Sequence, residues 1–344
     1  MNLISRKKRI YPVQAPLREY LAAYDRTVEL QLGYDDLMDY YVAAPYYDSS
    51  GRDTLWITVQ YHTSEQDRIH AGLLHAYSCI RADGDLSFVR HLVVDRVDLC
   101  TYGNTQPFRI RILNPLNENF DYFYIKQADA SRIYGLELEH LLSPNRLSFQ
   151  VSGDTLAEEH IVGIPGDKFI ESRLQDDHLD EVRLAKEFVK FNERCFLRLL
   201  GDMHSNNFVI EVMPDFEETI YRIRAIDFDQ QCYEGNYKVY LPQFFKQNNP
   251  IIQLGLRCMQ PETTRQYQHE ERSLMQKRMQ ASWEQLTGLL DVMQVDTIAP
   301  AENVASLGQQ LAEYHHQPDF ARAESMGAIV RLSLSMLDTL TASG

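Results

Sequence analysis

The sequence predicts an α+β protein, with its strands concentrated before about residue 165 and its helices after it. Three observations carry that expectation. Runs rich in β-branched and aromatic residues, Thr54–Tyr61, Phe108–Leu113 and Phe120–Gln127, recur through the first half. From Glu262 onward, apolar residues return at helical spacing between Pro-marked breaks. Two further strand-like runs, Phe208–Val212 and Thr219–Ile226, each adjoin an island of acidic and carboxamide residues.

The 344 residues suffice for one large or two ordinary domains. A hydrophobic share of 44% with 11% aromatics is that of a globular chain without low-complexity segments. The net charge of −15 argues against nucleic acid as a partner, since a phosphate backbone calls for concentrated Lys and Arg. It suits a cationic substrate, and acidic charge also simply keeps proteins soluble. Cys79, Cys100, Cys195, Cys232 and Cys258 are scattered, without a Cys-x-x-Cys pair. That is neither a disulfide framework nor a zinc site, and it points to free thiols in a reducing compartment. The opening MNLISRKKRIYPVQ lacks the apolar core of a signal peptide, and no apolar run approaches the roughly 18 residues of a membrane span. The expectation is a cytoplasmic protein with no membrane partner.

In chain order, Pro16–Val28 reads as a helix from Leu17, Tyr20, Leu21 and Tyr24, with Pro in its first turn. Tyr34–Ala43 is expected to form a short helix, Asp48–Gly51 a turn, and Thr54–Tyr61 a strand. GLLHAYSCIR from Gly72 and LSFVRHLVVDRVDL after it flank Asp83-Gly84, which predicts a hairpin. Asn114–Asn119 turns the chain into the strand ending at Lys126, and Asp129 or Ser131 can cap the helix that follows. There Ile133, Leu136, His140 and Leu141 share a face, and Glu137 and Glu139 point different ways. Leu147–Val151 and His160–Ile164 read as strands, ending in the Pro165-Gly166 turn. Asp176 and Asp177 can cap a helix from His178 to about Leu200, with Val182, Ala185, Val189, Phe196 and Leu199 apolar. Gln230–Asn249 reads as irregular. Leu274, Trp283, Leu286 and Leu290 then give one helix an apolar face, followed by Leu307 with Leu311 and by Ile329, Leu332 and Leu337. His315-His316, before Pro318, marks a helix end rather than a metal site.

The two islands are Gly201-Asp202-Met203-His204-Ser205-Asn206-Asn207 and Ile226-Asp227-Phe228-Asp229. A strand pair with carboxylates and a carboxamide at its mouth can hold a divalent metal and position a hydroxyl nucleophile. Asp-x-His-x-x-Asn, two strands, then Ile-Asp-Phe resembles the catalytic and metal loops of kinase-like phosphotransferases, nearest to the aminoglycoside phosphotransferase and choline kinase branch. Leu200 stands where that branch has a His, and Asp229 where it has a Gly. Asn207-Phe208 is also similar to HipA-like serine/threonine kinases.

The resemblance implies a protein kinase-like two-lobe fold, with a small β-rich N-lobe over residues 85–165 and a mainly helical C-lobe over 166–344. Residues 1–84 form an extra N-terminal α/β segment, either a separate domain or an elaboration of the small lobe. It also implies ATP and Mg²⁺. Asp202 would accept the proton of the attacking hydroxyl, while Asn207 and Asp227 would bind the metal, and His204 would order the loop. Lys126 would reach the nucleotide phosphates, with Glu137 (or Glu139) as its partner. Ile161 and Ile164, before the apolar-Pro-Gly turn, would sit against adenine. The loop Tyr102-Gly103-Asn104-Thr105 stands where a phosphate-covering loop belongs, with one glycine. The expected activity is transfer of the γ-phosphate to a hydroxyl. The spacing after Asp227 and the helical tail favour a small-molecule acceptor, and the Asn-Phe pair keeps a HipA-like protein kinase open. The Leu200 and Asp229 departures leave a non-catalytic nucleotide-binding module as the rival.

Overall fold

The computed structural model describes residues 8–48, 50–103, 105–215 and 218–342, with backbone alone for 338–342. It is mixed α+β and divides into two compact units.

One unit comprises Pro12–Ala130 and Leu147–His160. It holds α1 (Ala15–Ala23), α2 (Tyr34–Met38), β1 (Val42–Tyr47), β2 (Asp53–Gln60), α3 (Thr63–Ala82), β3 (Val93–Cys100), β4 (Phe108–Leu113), β5 (Phe120–Gln127), β6 (Phe149–Ser152) and β7 (Thr155–Glu159). The strands form an antiparallel sheet in the order β1-β2-β3-β4-β5-β7-β6, so the strands before and after residue 84 share one sheet. Alternation sorts β4 and β5 cleanly: Phe108, Ile110, Ile112, Phe123 and Ile125 face the core, with Arg109, Arg111, Tyr122 and Tyr124 opposite. Helix α3 closes that core with Ile69, Leu73, Ala76, Tyr77 and Ile80.

Helix α3 corrects the expected hairpin at Asp83-Gly84. The apolar set returns every three to four residues from Ile69, and only the fragment after Gly72 looks like a strand. Asp83-Gly84 instead caps the helix in the left-handed region, Asp83 at φ 47° and Gly84 at φ 82°. The helix expected over Tyr34–Ala43 stops at Met38, and Val42 opens an edge strand whose Pro45 is tolerated there. The strand expected over His160–Ile164 lies earlier, at β7. Gly153-Asp154 makes a two-residue turn that pairs Ser152 with Thr155. Asn104, in the expected phosphate-covering loop, and Ser49, in the expected turn, lie outside the described residues.

The other unit comprises Met1–Tyr11, Ser131–Arg146 and Ile161–Gly344. It contains most of α4 (Ala130–Leu142), the short β8 (Ile164–Pro165), α5 (Gly166–Ser172), α6 (Glu181–Arg198), and the hairpin β9 (Phe208–Pro214) and β10 (Thr219–Ala225). After single 3₁₀ turns between Tyr237 and Asn248 come α7 (Asn249–Cys258), α8 (Pro261–Ala281), α9 (Trp283–Val295), α10 (Ala301–His315) and α11 (Met326–Ala342).

Helix α6 is capped by Asp180, whose side chain accepts the Arg183 N–H, and not by Asp176 or Asp177. Its core face is Leu184, Ala185, Phe188, Phe191 and Cys195, and Val182 is exposed. Leu274 and Trp283 are likewise exposed; α8 buries Met275 and Met279, and Ser282 breaks the helix before α9 buries Leu286 and Leu290. Helix α10 ends at His315, with His316 as its left-handed cap. No helix among the described residues is long and apolar enough to cross a membrane.

Candidate active site

Helix α6 delivers the chain to the first island. Leu199 caps it at φ 54°, and Leu200 pairs with Gln231. The loop that follows is pinned through its backbone: Gly201 N–H donates to the Gln230 carbonyl and Asp202 N–H to the Val239 carbonyl, both at 3.1 Å. Asn248 Nδ2 donates to the Met203 carbonyl at 2.9 Å. Asp202 itself sits at φ 61°, a left-handed conformation that Asp tolerates better than most side chains and that clusters at functional sites.

The two islands meet at the open end of the β9–β10 hairpin. Phe208 pairs with Ala225, and beyond that pair Ile226 N–H donates to the Asn207 carbonyl at 3.0 Å. The register therefore sets Asn207 beside the residue preceding Asp227. Asn207 Nδ2 donates to the Asp202 carbonyl at 2.9 Å and reaches Asp202 Oδ2 at 3.4 Å. The carboxamide nitrogen is thereby committed to Asp202, which leaves Oδ1 as the acceptor end.

His204 closes the loop. Its Nδ1 accepts the Asn206 N–H at 3.2 Å, so the ring proton belongs on Nε2, 3.9 Å from Asp202 Oδ1. Burial holds the imidazole below its usual pKa, with Asp227 and Asp167 opposing that shift. The neighbouring chain approaches closely, since a Cβ at Gly166 would lie 2.6 Å from the Ser205 carbonyl oxygen.

The electrostatics are dominated by acid. Burial pushes the Asp202 carboxyl up to about 7, and the charges of Asp227, Glu234 and Asp229 add to it. A buried cation, Arg132, stands against them. Arg132 in the first turn of α4 donates through Nη1 to Asp227 Oδ1 at 2.9 Å and to Asp229 Oδ1 at 2.7 Å. Asp227 Oδ1 also accepts the Asp229 N–H at 3.0 Å.

The remaining expected residues fall as follows. Lys126 is buried in the sheet unit, with Nζ donating to Glu158 Oε2 at 2.9 Å. Cross-strand register explains the contact: Lys126 pairs with Leu156, and Glu158 lies two residues along β7 on the same face. Glu137 is fully buried in α4. Glu139 is committed elsewhere, to Arg198 of α6 and to Asn145. Ile161 is buried, and Ile164 pairs with Ile210 of β9. Arg132, Glu158 and Glu234 escaped the sequence reading. Two-residue alternation along β7 offered a route to Glu158 alone.

Among the described residues, no three His, Cys, Asp or Glu side chains converge to hold a metal by themselves. Mg²⁺ makes a lighter demand, since it keeps several waters and takes phosphate oxygens beside one or two carboxylates. Asp227, whose side chain is 36% exposed, and the Asn207 Oδ1 fit that demand.

No protein-family profile matches the chain. No curated protein matches it either. Among solved structures it is similar to titin kinase with its flanking domains, at TM-score 0.29 and 12% identity over 72% of this chain. The chain spans about half of that structure, 55%. It is also similar to the autoinhibited serine kinase domain of the giant muscle protein titin, at TM-score 0.25 and 12% identity over 66% of this chain and 88% of that one. At such TM-scores the likeness does not establish a shared fold.

Proposed function

We propose that this chain is a kinase-like phosphotransferase that uses ATP and Mg²⁺ to phosphorylate a hydroxyl, most simply on a small molecule. The reading is carried by one observation: Asp202, Asn207 and Asp227 come together at the mouth of the β9–β10 hairpin, with Asn207 bonded to Asp202.

Phosphoryl transfer asks a protein mainly for positioning and charge neutralisation. In this reading Asp202 orients the acceptor hydroxyl and takes its proton. A carboxyl with its pKa near neutrality is suited to that exchange. Asn207 holds the Asp202 backbone and presents Oδ1, and Asp227 presents a carboxylate, the two positions that would hold the metal. When bound, Mg²⁺ supplies charge neutralisation on the nucleotide phosphates. Lys126, kept in place by Glu158, is the ammonium assigned to those phosphates, and Glu137 is the further acidic residue proposed to orient it. Ile161 and Ile164 are assigned to adenine. The acid around Asp202 favours an acceptor that carries positive charge.

The test is thermal stability with ATP, with and without Mg²⁺, for the wild type and Asp227→Ala. Stabilisation that requires Mg²⁺ and disappears in the variant is expected. No stabilisation under either condition would overturn the reading.

A second reading, a non-catalytic nucleotide-binding module, is favoured by the Arg132 contact to Asp227, because it puts a protein cation against the assigned metal ligand. That reading expects stabilisation by ATP without metal.

A further inference from the structure

We propose that the groove between α6, α7 and the first two turns of α8 binds a small uncharged amphiphile, an aliphatic chain with one neutral polar head, and that its occupancy is linked to the loop carrying Asp202. The hollow is about 530 Å³. That lies within the roughly 300–1,000 Å³ of small-molecule sites. Phe188 and Val189 of α6, Ile251, Ile252 and Leu256 of α7, and Met259 form its apolar walls. Phe188 and Ile251 are buried, whereas Leu256 is 78% exposed, so the apolar lining runs from the core out to solvent. An aliphatic chain laid along it would take Leu256 out of water, which favours binding.

The polar groups choose the head. Gln243 and Gln260 set exposed carboxamides at the groove, and half-buried Gln268 donates through Nε2 to Glu193 Oε1 at 2.9 Å. Carboxamides can donate to or accept from a hydroxyl or amide head. Arg265 is the one charged residue among the described lining residues. Its side chain is 71% exposed and pairs with Glu262 at 3.3 Å, so it remains in water and contributes little to holding an anion. A charged head among these neutral groups would lose hydration without gaining a partner.

Hydrogen bonds join both walls to the Asp202 loop. Asn192 of α6, which lines the groove, accepts the Gln243 N–H through Oδ1 at 2.9 Å. Asn248 immediately precedes α7 and is fully buried. It donates through Nδ2 to the Pro242 carbonyl at 2.7 Å and to the Met203 carbonyl at 2.9 Å. A ligand that fixes α7 against α6 therefore restrains the side chain that holds Met203, the neighbour of Asp202. Ordering at one place then reduces local opening at the other.

The probe is n-octanol, titrated into the full chain and followed by methyl NMR at Met259, with octanoate and octylammonium as charged counterparts of equal length. A saturating shift is expected with octanol, at an affinity about 10-fold or more above that of either ion. A Cβ at Gly255 would lie 3.6 Å from Met259 Cε and 3.8 Å from Ala185 Cβ, in ordinary contact on the groove side. Gly255→Ala should therefore still bind octanol, and Gly255→Leu, which fills the space, should not. Should the Leu variant fail to fold, Leu256→Gln changes an exposed wall residue and should weaken octanol by about 10-fold. Amide hydrogen exchange across Leu200–Asn207, read by mass spectrometry, should slow when octanol binds the wild type. No saturating shift, an ion that binds as well as octanol, or undiminished binding in Gly255→Leu or Leu256→Gln would overturn the site. Saturable binding with unchanged exchange would overturn its link to Asp202. Neither readout involves nucleotide or turnover, so failure here is distinct from failure of the phosphotransferase reading.

Discussion

Asn207 bonds the backbone carbonyl of Asp202 with the same carboxamide nitrogen that reaches the Asp202 side chain. The contact spans a five-residue loop and makes the conformation of one residue depend on the other. Asn207→Ala is expected to leave the Asp202 carbonyl without that donor and to cost about 1–3 kcal/mol. Asn207→Asp, which replaces the donor with a further carboxylate beside Asp202, should cost at least as much. Urea unfolding of the three proteins at one pH checks both. An Ala variant as stable as the wild type would mean that the backbone bonds to Gln230 and Val239 hold the loop unaided.

A second prediction concerns Asp202 and pH. Burial and its acidic neighbours raise this carboxyl from 3.8 to about 7, so between those values the folded protein holds a proton that the unfolded chain has released. The stabilisation linked to that proton is complete below about pH 4 and is lost as pH rises through about 7. Asp202→Asn keeps the shape and removes the charge. It should therefore be more stable than the wild type at pH 8 and closer to it at pH 5, and under the proposed phosphotransferase function any phosphate transfer should fall by about 10²–10⁴-fold. Unfolding curves at both pH values decide the first part, and parallel pH dependence in the two proteins would count against it.

The legibility of the sequence followed the locality of the physics. The hairpin Phe208–Ala225 could be read because β-branched alternation and a turn lie within one short stretch, and the islands at its mouth could be read as a motif. Helix α4 and the strands β2, β4 and β5 were legible for the same reason. Helix α3 was not, because its period begins at Ile69 and the apolar fragment after Gly72 is too short to tell strand from helix. Strand β1 was hidden by Pro45 and by an exposed, edge-strand pattern that carries no core face. Arg132 was illegible for a deeper reason. An arginine in a first helical turn reads as a solvated residue until tertiary packing buries it against Asp227 and Asp229.

The same reasoning bears on Glu139, which was one of two choices as partner of Lys126. In the structure its carboxylate meets Arg198, and both side chains are almost wholly buried. Burial alone would raise the Glu139 pKa, yet Arg198, with Ser143 and Arg194, holds it below the usual value. Breaking such a pair leaves one uncompensated buried charge. Glu139→Ala and Arg198→Met are each expected to cost about 3–5 kcal/mol, and the double variant less than the sum of the two. Denaturant unfolding of the four proteins in the cycle measures the coupling. Additive losses would show that the two residues act independently, contrary to their contact.

The last prediction lies at the end of α10. His315 stacks on Phe196 at 5.7 Å and on Phe320 at 5.4 Å between ring centroids. A histidine in the last turn of a helix is ordinarily favoured as a cation. Here burial outweighs that preference and, with Arg272 adding repulsion, pushes its pKa down to about 4. The folded state thus prefers the neutral ring. The associated stability is fully present above the ordinary value of 6.5 and is lost as pH falls from there towards 4. The ring is partly exposed, so screening limits the effect to on the order of 1 kcal/mol. His315→Phe keeps the aromatic stack and removes the titration. Between pH 7 and pH 5 the variant should lose less stability than the wild type by about that amount. Thermal unfolding at the two pH values is the measurement, and equal losses would place the acid sensitivity of this protein elsewhere than at His315.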